Sequence, residues 1–239
     1  MRTEKMWKEL AKYYDLIYEE KPYKKEAEKI HKLIQRYKKS SGRELLDVAC
    51  GTGSHIAYFK KHYKIIGSDL NKEMLKIARK KFPKIRFQQA NMTSLNLKKK
   101  FDVITCLFSS IGYVKTYNNL NKTITAFARH LKPGGVLIIE LFISKRIYRT
   151  GGLHTSFVDK PDVKITRMNV SKRRGNIAIL DFSFLVGTKK GIKFFRDKHE
   201  LGLFDTTKIL KALKENGFQA KFLKDGLMKG RGLYVAVKK

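Results

Sequence analysis

The sequence predicts an α/β protein, a doubly wound and mostly parallel sheet with a small antiparallel β insertion after its fifth strand. Three observations predict it. Short apolar runs alternate with amphipathic helical stretches over residues 44–142, and such alternation builds a parallel sheet with helices on both faces. Phe101–Phe108 is nearly continuous in apolar residues, as a strand covered on both sides must be. Beyond Ser144 the texture changes to long β-rich stretches divided by turn formers, the pattern of antiparallel hairpins.

The elements follow in order. Residues 5–19 carry Met6, Leu10, Tyr13, Tyr14 and Ile17 at helical spacing, and Pro22 ends that helix. A second helix is expected over Lys24–Lys38, closed by Ser40-Ser41-Gly42. Glu44–Ala49 reads as the first strand, followed by a glycine turn and a helix over Ser54–Lys61. Tyr63–Ser68 is the second strand, Asn71–Lys81 a helix with Met74, Leu75 and Ala78 inward, and Ile85–Gln89 the third strand. After the fourth strand comes a helix over Asn118–Leu131, stopped by Lys132-Pro133-Gly134-Gly135, and then a fifth strand over Val136–Phe142. Lys164–Val170, Ile177–Val186 and Ile192–Leu203 form an insertion of two or three antiparallel strands. Asp205 or Thr206 caps a last helix ending at Asn216-Gly217, and Ala220–Leu223 pairs with Gly232–Val237. The expected organisation is a core unit over residues 1–143, the insertion over 144–204, and a closing helix and strands over 205–239 that complete the core sheet.

At 239 residues with 42% hydrophobic content the chain can bury a sizeable core. It holds no apolar run long enough to span a bilayer and no signal-like N-terminal stretch, so a cytoplasmic location is expected. Cys50 and Cys106 have neither metal-site nor disulfide spacing, and no metal is expected. The net charge of +32 favours anionic partners in general. Lysines far outnumber arginines, however, and are spread along helices and loops, which reads as a solvated surface more than a nucleic-acid site.

Three stretches at the carboxyl ends of successive strands converge on one ligand. In Asp47-Val48-Ala49-Cys50-Gly51-Thr52-Gly53 the glycines let backbone approach a ligand closely, amides face it where the helix begins, and Asp47 can accept from an ammonium. Ile56 stands where a dinucleotide fingerprint has its third glycine, which argues against a nicotinamide cofactor. Asp69, ending the second strand, is placed to accept both hydroxyls of a ribose; its other reading is an N-cap, which Asn71 serves equally well. Gln88-Gln89-Ala90-Asn91-Met92 supplies a polar residue and a backbone amide for an adenine edge. Together the three point to S-adenosylmethionine bound on a Rossmann-like sheet.

With Leu131-Lys132-Pro133-Gly134-Gly135 these stretches resemble the successive motifs of class I S-adenosylmethionine-dependent methyltransferases. Phe108–Tyr113, Asp197-Lys198-His199, Leu203-Phe204 and Gly230–Tyr234 are similar to the N,N-dimethyltransferases of nucleotide-linked amino sugars, and Tyr14-Asp15-Leu16 with Tyr23 resembles that group's N-terminal segment, which closes over the cofactor. The resemblance implies Tyr14 and Tyr23 near the methionine carboxylate and Asp69 on the ribose. It also places Asp47, Ala49, Gly51, Gly53, Leu70, Met74, Asn91, Met92 and Leu107 around the cofactor. Asn91 stands where the family has aspartate, and Tyr113 where several relatives have histidine near the acceptor amine. Arg231 matches a position suited to a substrate phosphate. The family's Pro-Trp-Trp after strand five is Leu141-Phe142-Ile143 here, and residues 150–195 are dissimilar.

Methyl transfer from a sulfonium mainly requires that acceptor and methyl group be held at attack distance, with a base needed only for a protonated acceptor or a hydroxyl. The expected catalytic and substrate residues are accordingly Tyr113, His199 and Arg231. Cys106 lies inside an apolar strand, which suits a buried thiol and not a nucleophile. The expected function is methylation of a small molecule, an amine and within that class an amino sugar or nucleotide-linked sugar, with an anionic acceptor accommodated. An RNA methyltransferase and a non-catalytic S-adenosylmethionine-binding protein are the alternatives, and monomer and homodimer both remain open.

Overall fold

The computed structural model describes residues 9–143, 145–228 and 230–239, so the part of the expected first helix before Glu9, Met6 included, lies outside the described residues. That helix is short where described: Ala11–Tyr13 is a 3-10 turn leading into α1 (Tyr14–Ile17). Then come α2 (Tyr23–Tyr37), β1 (Glu44–Val48), α3 (Ile56–Phe59), β2 (Lys64–Asp69), α4 (Lys72–Lys81), β3 (Arg86–Gln89) and β4 (Phe101–Cys106). They are followed by α5 (Tyr117–His130), β5 (Leu131–Glu140), the insertion strands β6 (Leu153–Lys160), β7 (Val163–Arg174), β8 (Ile177–Thr188) and β9 (Gly191–Gly202), and finally α6 (Thr206–Glu215), β10 (Phe218–Leu223) and β11 (Leu233–Lys238).

Seven strands form one sheet in the order β10-β11-β5-β4-β1-β2-β3, and β6-β7-β8-β9 form a second, antiparallel sheet. β1 to β5 run parallel, while β11 pairs antiparallel with β5 and β10 with β11. The strand order reverses between β1 and β4, and in open α/β sheets ligands bind at such a switch point beyond the carboxyl ends of the strands. All six residues of β4 are buried, as its apolar run requires. Leu46, Ile104, Phe127, Leu137 and Tyr234 form the core on one face, and Ile30, Ile34, Phe59, Val103 and Val235 form it on the other.

The insertion has four strands and not two or three. β6 escapes the sequence reading because it is an edge strand, bonded to β7 alone, with no residue buried, so hydrophobic alternation barely marks it. The expected Ser54–Lys61 helix contracts to one turn, α3. Strand β5 starts at Leu131, directly after α5, with a register irregularity against Phe101–Val103. Asp205 sits at the N-cap of α6 without capping it, since its carboxylate accepts from the Tyr117 hydroxyl at 3.0 Å. Asn71 does cap α4, accepting from the Glu73 and Met74 amides at 2.9 and 3.1 Å. Asn71→Ala is expected to cost about 1 kcal/mol of stability, read from the denaturation midpoint.

Candidate functional site

The glycine turn after β1 is built on backbone that side chains rarely adopt: φ is +56° at Ala49, +57° at Gly51 and +82° at Gly53. A Cβ added at Gly51 would meet nothing within 4 Å, so the turn opens onto empty space, while one at Gly53 would lie 2.9 Å from the Phe82 ring. The space is a cavity walled by the turn, by Asp47, Tyr14 and Tyr23, and across the sheet by Leu107 and Phe108. The far wall is strained as well, with Phe108 and Ser109 both left-handed at φ +51° and +64°. A buried carboxylate holds that strain: Glu140 accepts from the Phe108 amide at 2.6 Å. Consecutive non-glycine residues in this region are costly and concentrate at ligand sites.

Asp47 is the chemical centre of the cavity. It is buried, accepts from the Thr105 hydroxyl at 2.7 Å, and has its pKa pushed up to about 7 by burial, with nearby Asp69 adding to the rise. Such a carboxyl waits for a cation. Asp69 binds the turn itself, taking the Gly51 amide on one oxygen and the Asn71 amide on the other, both at 2.8 Å. Since Asn71 performs the capping, Asp69 is left to organise the turn; burial pushes its pKa up, opposed by these amides. Leu70 lies exposed beside it, its carbonyl bonded to Gln89 at 2.9 Å, and Met74 is buried in the first turn of α4. Asn91 is exposed beyond β3, where its side-chain oxygen takes the Thr93 amide at 3.0 Å and the Thr93 hydroxyl at 2.9 Å. Met92 packs partly buried on the core.

A strap over residues 14–23 covers the cavity. Asp15 accepts from the Thr52 hydroxyl at 2.5 Å and from Lys81 at 2.8 Å, tying the strap to the turn and to α4. Glu19 pairs with Lys160 of β6 at 2.7 Å. Lys21 pairs with buried Glu26, which also meets His55 at 2.8 Å. Burial opposes ionisation of Glu26, but the His55 and Lys21 contacts hold its carboxyl below the usual range.

A second cavity adjoins the first, and Tyr14 lines both. Its other walls come from the strap and the inner face of the insertion sheet: Tyr18, Arg167, Phe182, Asp197 and His199. His199 meets the Asp197 carboxylate through Nε2 at 2.7 Å and the Tyr113 hydroxyl through Nδ1. With Nε2–H donated to Asp197, Nδ1 is an acceptor and Tyr113 the donor. Burial pushes the Tyr113 pKa well up, so its hydroxyl keeps its proton.

The structure thus brings Tyr14, Tyr23, Asp47, Ala49, Gly51 and Leu107 around one cavity and Tyr113 with His199 at the next. Arg231 is half-buried and not exposed, because its guanidinium lies 5.3 Å from the Phe142 ring and 5.9 Å from Phe108, and donates to Ser109 at 3.1 Å. Sequence reasoning missed Asp197 as a partner of His199, although alternate positions on a strand share a face. It also missed Arg167, His55 and Glu140, which only tertiary contacts bring here. Among the described residues no group of His, Cys, Asp and Glu could hold a metal ion.

A methyltransferase-domain family profile matches residues 45–135. The dTDP-3-amino-3,4,6-trideoxy-alpha-D-glucopyranose N,N-dimethyltransferase of Streptomyces venezuelae is 35% identical over 95% of this chain and 97% of its own. Among solved structures, Streptomyces venezuelae DesVI superimposes with a TM-score of 0.90 at 34% identity, covering 96% of this chain and 98% of that one. The S-adenosylmethionine-bound CalS10 of Micromonospora echinaspora, an amino pentose methyltransferase, superimposes with a TM-score of 0.85 at 28% identity, covering 95% and 96%.

Proposed function

The chain belongs to the class I S-adenosylmethionine-dependent methyltransferases, in the group of sugar N,N-dimethyltransferases acting on small-molecule amines, and from that premise we propose that its acceptor is a nucleotide-linked amino sugar. What supports this reading is the Asp197–His199 pair, hydrogen-bonded on to Tyr113, in a cavity that shares Tyr14 with the cavity over the glycine turn.

The residues present fit the cofactor: a buried carboxylate in want of a cation, an open glycine cradle, and a second carboxylate at the cradle's edge. Asp47 would hold the ammonium of the methionine moiety, Tyr14 and Tyr23 its carboxylate, and Asp69 the ribose hydroxyls. Gly53, Leu70, Met74, Asn91 and Met92 would complete the surround on the adenosine side. Bound there, S-adenosylmethionine supplies a methyl group already activated as a sulfonium. The protein's share is then positioning and proton removal. Tyr113 would turn its hydroxyl from His199 Nδ1 to the acceptor amine, and the Nδ1 lone pair so freed, on an imidazole braced by Asp197, would take the proton that the amine loses. The guanidinium groups of Arg167 and Arg231 offer charge to the phosphates of an anionic acceptor.

Asp47 makes cofactor binding pH-dependent. Without ligand its carboxyl keeps its proton up to about 7, whereas an exposed aspartate loses it near 3.8. The folded chain therefore binds more protons than the unfolded one between these values, and this group's contribution to stability falls as pH rises across that window. An ammonium bound against Asp47 favours the ionised form. Below pH 7, binding of S-adenosylhomocysteine is thus expected to release close to one proton and to weaken as pH falls. Calorimetry at pH 6 in buffers of different ionisation enthalpy measures this, and Asp47→Asn should abolish the release.

The acceptor is tested by a mass-spectrometric methyl-transfer screen over simple amines, free amino sugars, nucleotide-linked amino sugars and bulk RNA. Two methyl additions to a nucleotide-linked amino sugar are expected. Turnover confined to RNA or to uncharged amines would sink the reading.

A further inference from the structure

The polar groups given to the cofactor stand at the ends of strands that neighbour one another in the sheet. Asp47 lies in β1, Asp69 closes β2, and Asn91 follows β3 by two residues. Neighbouring strands are about 4.8 Å apart, so a ligand with its ammonium at Asp47 and its ribose at Asp69 brings its base one strand further, to Asn91 and Met92. The Ala90 amide holds that last step in place by donating to the Asp69 carbonyl at 3.0 Å. With the cofactor so placed, what the protein reads of the base depends on which way the Asn91 amide faces.

That direction is fixed by two bonds. Asn91 is the N-cap of a 3-10 turn over Met92–Ser94, and its side-chain oxygen accepts from the Thr93 amide at 3.0 Å and from the Thr93 hydroxyl at 2.9 Å. A backbone N–H can only donate, so the atom facing it is the oxygen and not the nitrogen. The two donors also fill both lone pairs of that oxygen. Turning the amide over would set the Nδ2 hydrogens against the Thr93 amide and undo the cap. The oxygen is therefore spent inside the turn, and Asn91 offers a base only the N–H bonds of Nδ2.

A donor is the wrong partner for the 6-amino group of adenine, which itself donates. At ring position 1 the match is good: adenine N1 accepts, and the Met92 amide opens the 3-10 turn, where backbone donors have no partner within the turn. Hypoxanthine reverses both contacts. Its 6-oxo group accepts from Nδ2, while its N1–H opposes the Met92 amide. Each base thus makes one good contact and one bad one, and this edge has no means of separating them. An aspartate at position 91 would keep the cap on one oxygen and turn the other, an acceptor, toward the base. Adenine would then gain both contacts and hypoxanthine neither.

We propose that Asn91 sets the base specificity of the cofactor site, and that the site takes 6-oxopurine nucleoside thioethers as well as 6-aminopurine ones. The test is calorimetry of S-adenosylhomocysteine and S-inosylhomocysteine, which differ only in the base, against the wild type and Asn91→Asp. The wild type is expected to bind the two within about tenfold of each other, and Asn91→Asp to prefer the adenine ligand at least about 100-fold, because two contacts change sign together. Aspartate caps as well as asparagine, so the variant should keep its thermal midpoint. A wild type that prefers S-adenosylhomocysteine 100-fold or more would overturn the proposal, as would a variant whose preference equals that of the wild type. Either result leaves the cofactor's place on the sheet standing, whereas failure of both ligands to bind would remove that placement and the role of Asn91 with it.

Discussion

Replacing His199 by alanine is expected to lower kcat for methyl transfer about 100- to 1,000-fold, the range set by loss of a positioned proton acceptor. Affinity for S-adenosylhomocysteine should stay within about threefold, because His199 lines the second cavity and not the glycine-turn cavity. Neighbouring substitutions separate proton transfer from packing. Tyr113→Phe keeps the ring and removes only the hydrogen bond to Nδ1, so a drop of about tenfold is expected. Asp197→Asn leaves Nε2 without its carboxylate partner and should lower kcat with little change in S-adenosylhomocysteine affinity. A purely structural role would lower thermal stability and affinity together with kcat. If His199→Ala retained more than a third of the activity, the proton would have to leave by another route.

Asp69→Ala is expected to weaken S-adenosylhomocysteine binding at least about 100-fold, since the proposed ribose role gives it two charge-assisted hydrogen bonds of about 1.5–3 kcal/mol each to lose. The carboxylate also fastens the cradle, through the Gly51 and Asn71 amides. The variant therefore loses a ligand contact and the shape that receives it. Asp69→Asn tells these apart, for an amide keeps one acceptor but turns a donor toward either an amide or a hydroxyl. Calorimetry across the three proteins gives the ranking aspartate, asparagine, alanine. Equal affinities within threefold would take the ribose away from Asp69.

The parallel core was legible because its strands are buried on both faces. A run as nearly apolar as Phe101–Cys106, broken only by Asp102 and Thr105, has no other comfortable place in a fold of this size. Asn71 was legible because capping is local, needing only an acceptor two or three residues ahead of open amides. What escaped is non-local or half-exposed. Nothing in the sequence ties Asp15 to Thr52 or His199 to Tyr113, 86 positions apart. Strand β6 escaped because an edge strand with solvent on one side and a single partner has no reason to alternate cleanly. The half-burial of Arg231 between the Phe108 and Phe142 rings escaped too, because it depends on residues 123 and 89 positions away in the chain.

The strap over residues 14–23 bears on the timing of turnover. Its charged fastenings at Asp15, Glu19 and Lys21 go to three separate parts of the molecule and none is a backbone pairing with the sheet, so it can lift without the sheet coming apart. Tyr14 and Tyr23 of the strap wall the cavity over the glycine turn, so its opening is expected to gate release of spent cofactor and to set the pace of turnover. An acceptor methylated twice needs two such openings for each finished molecule. The singly methylated species then accumulates early in the time course, and its lifetime becomes a clock for the strap.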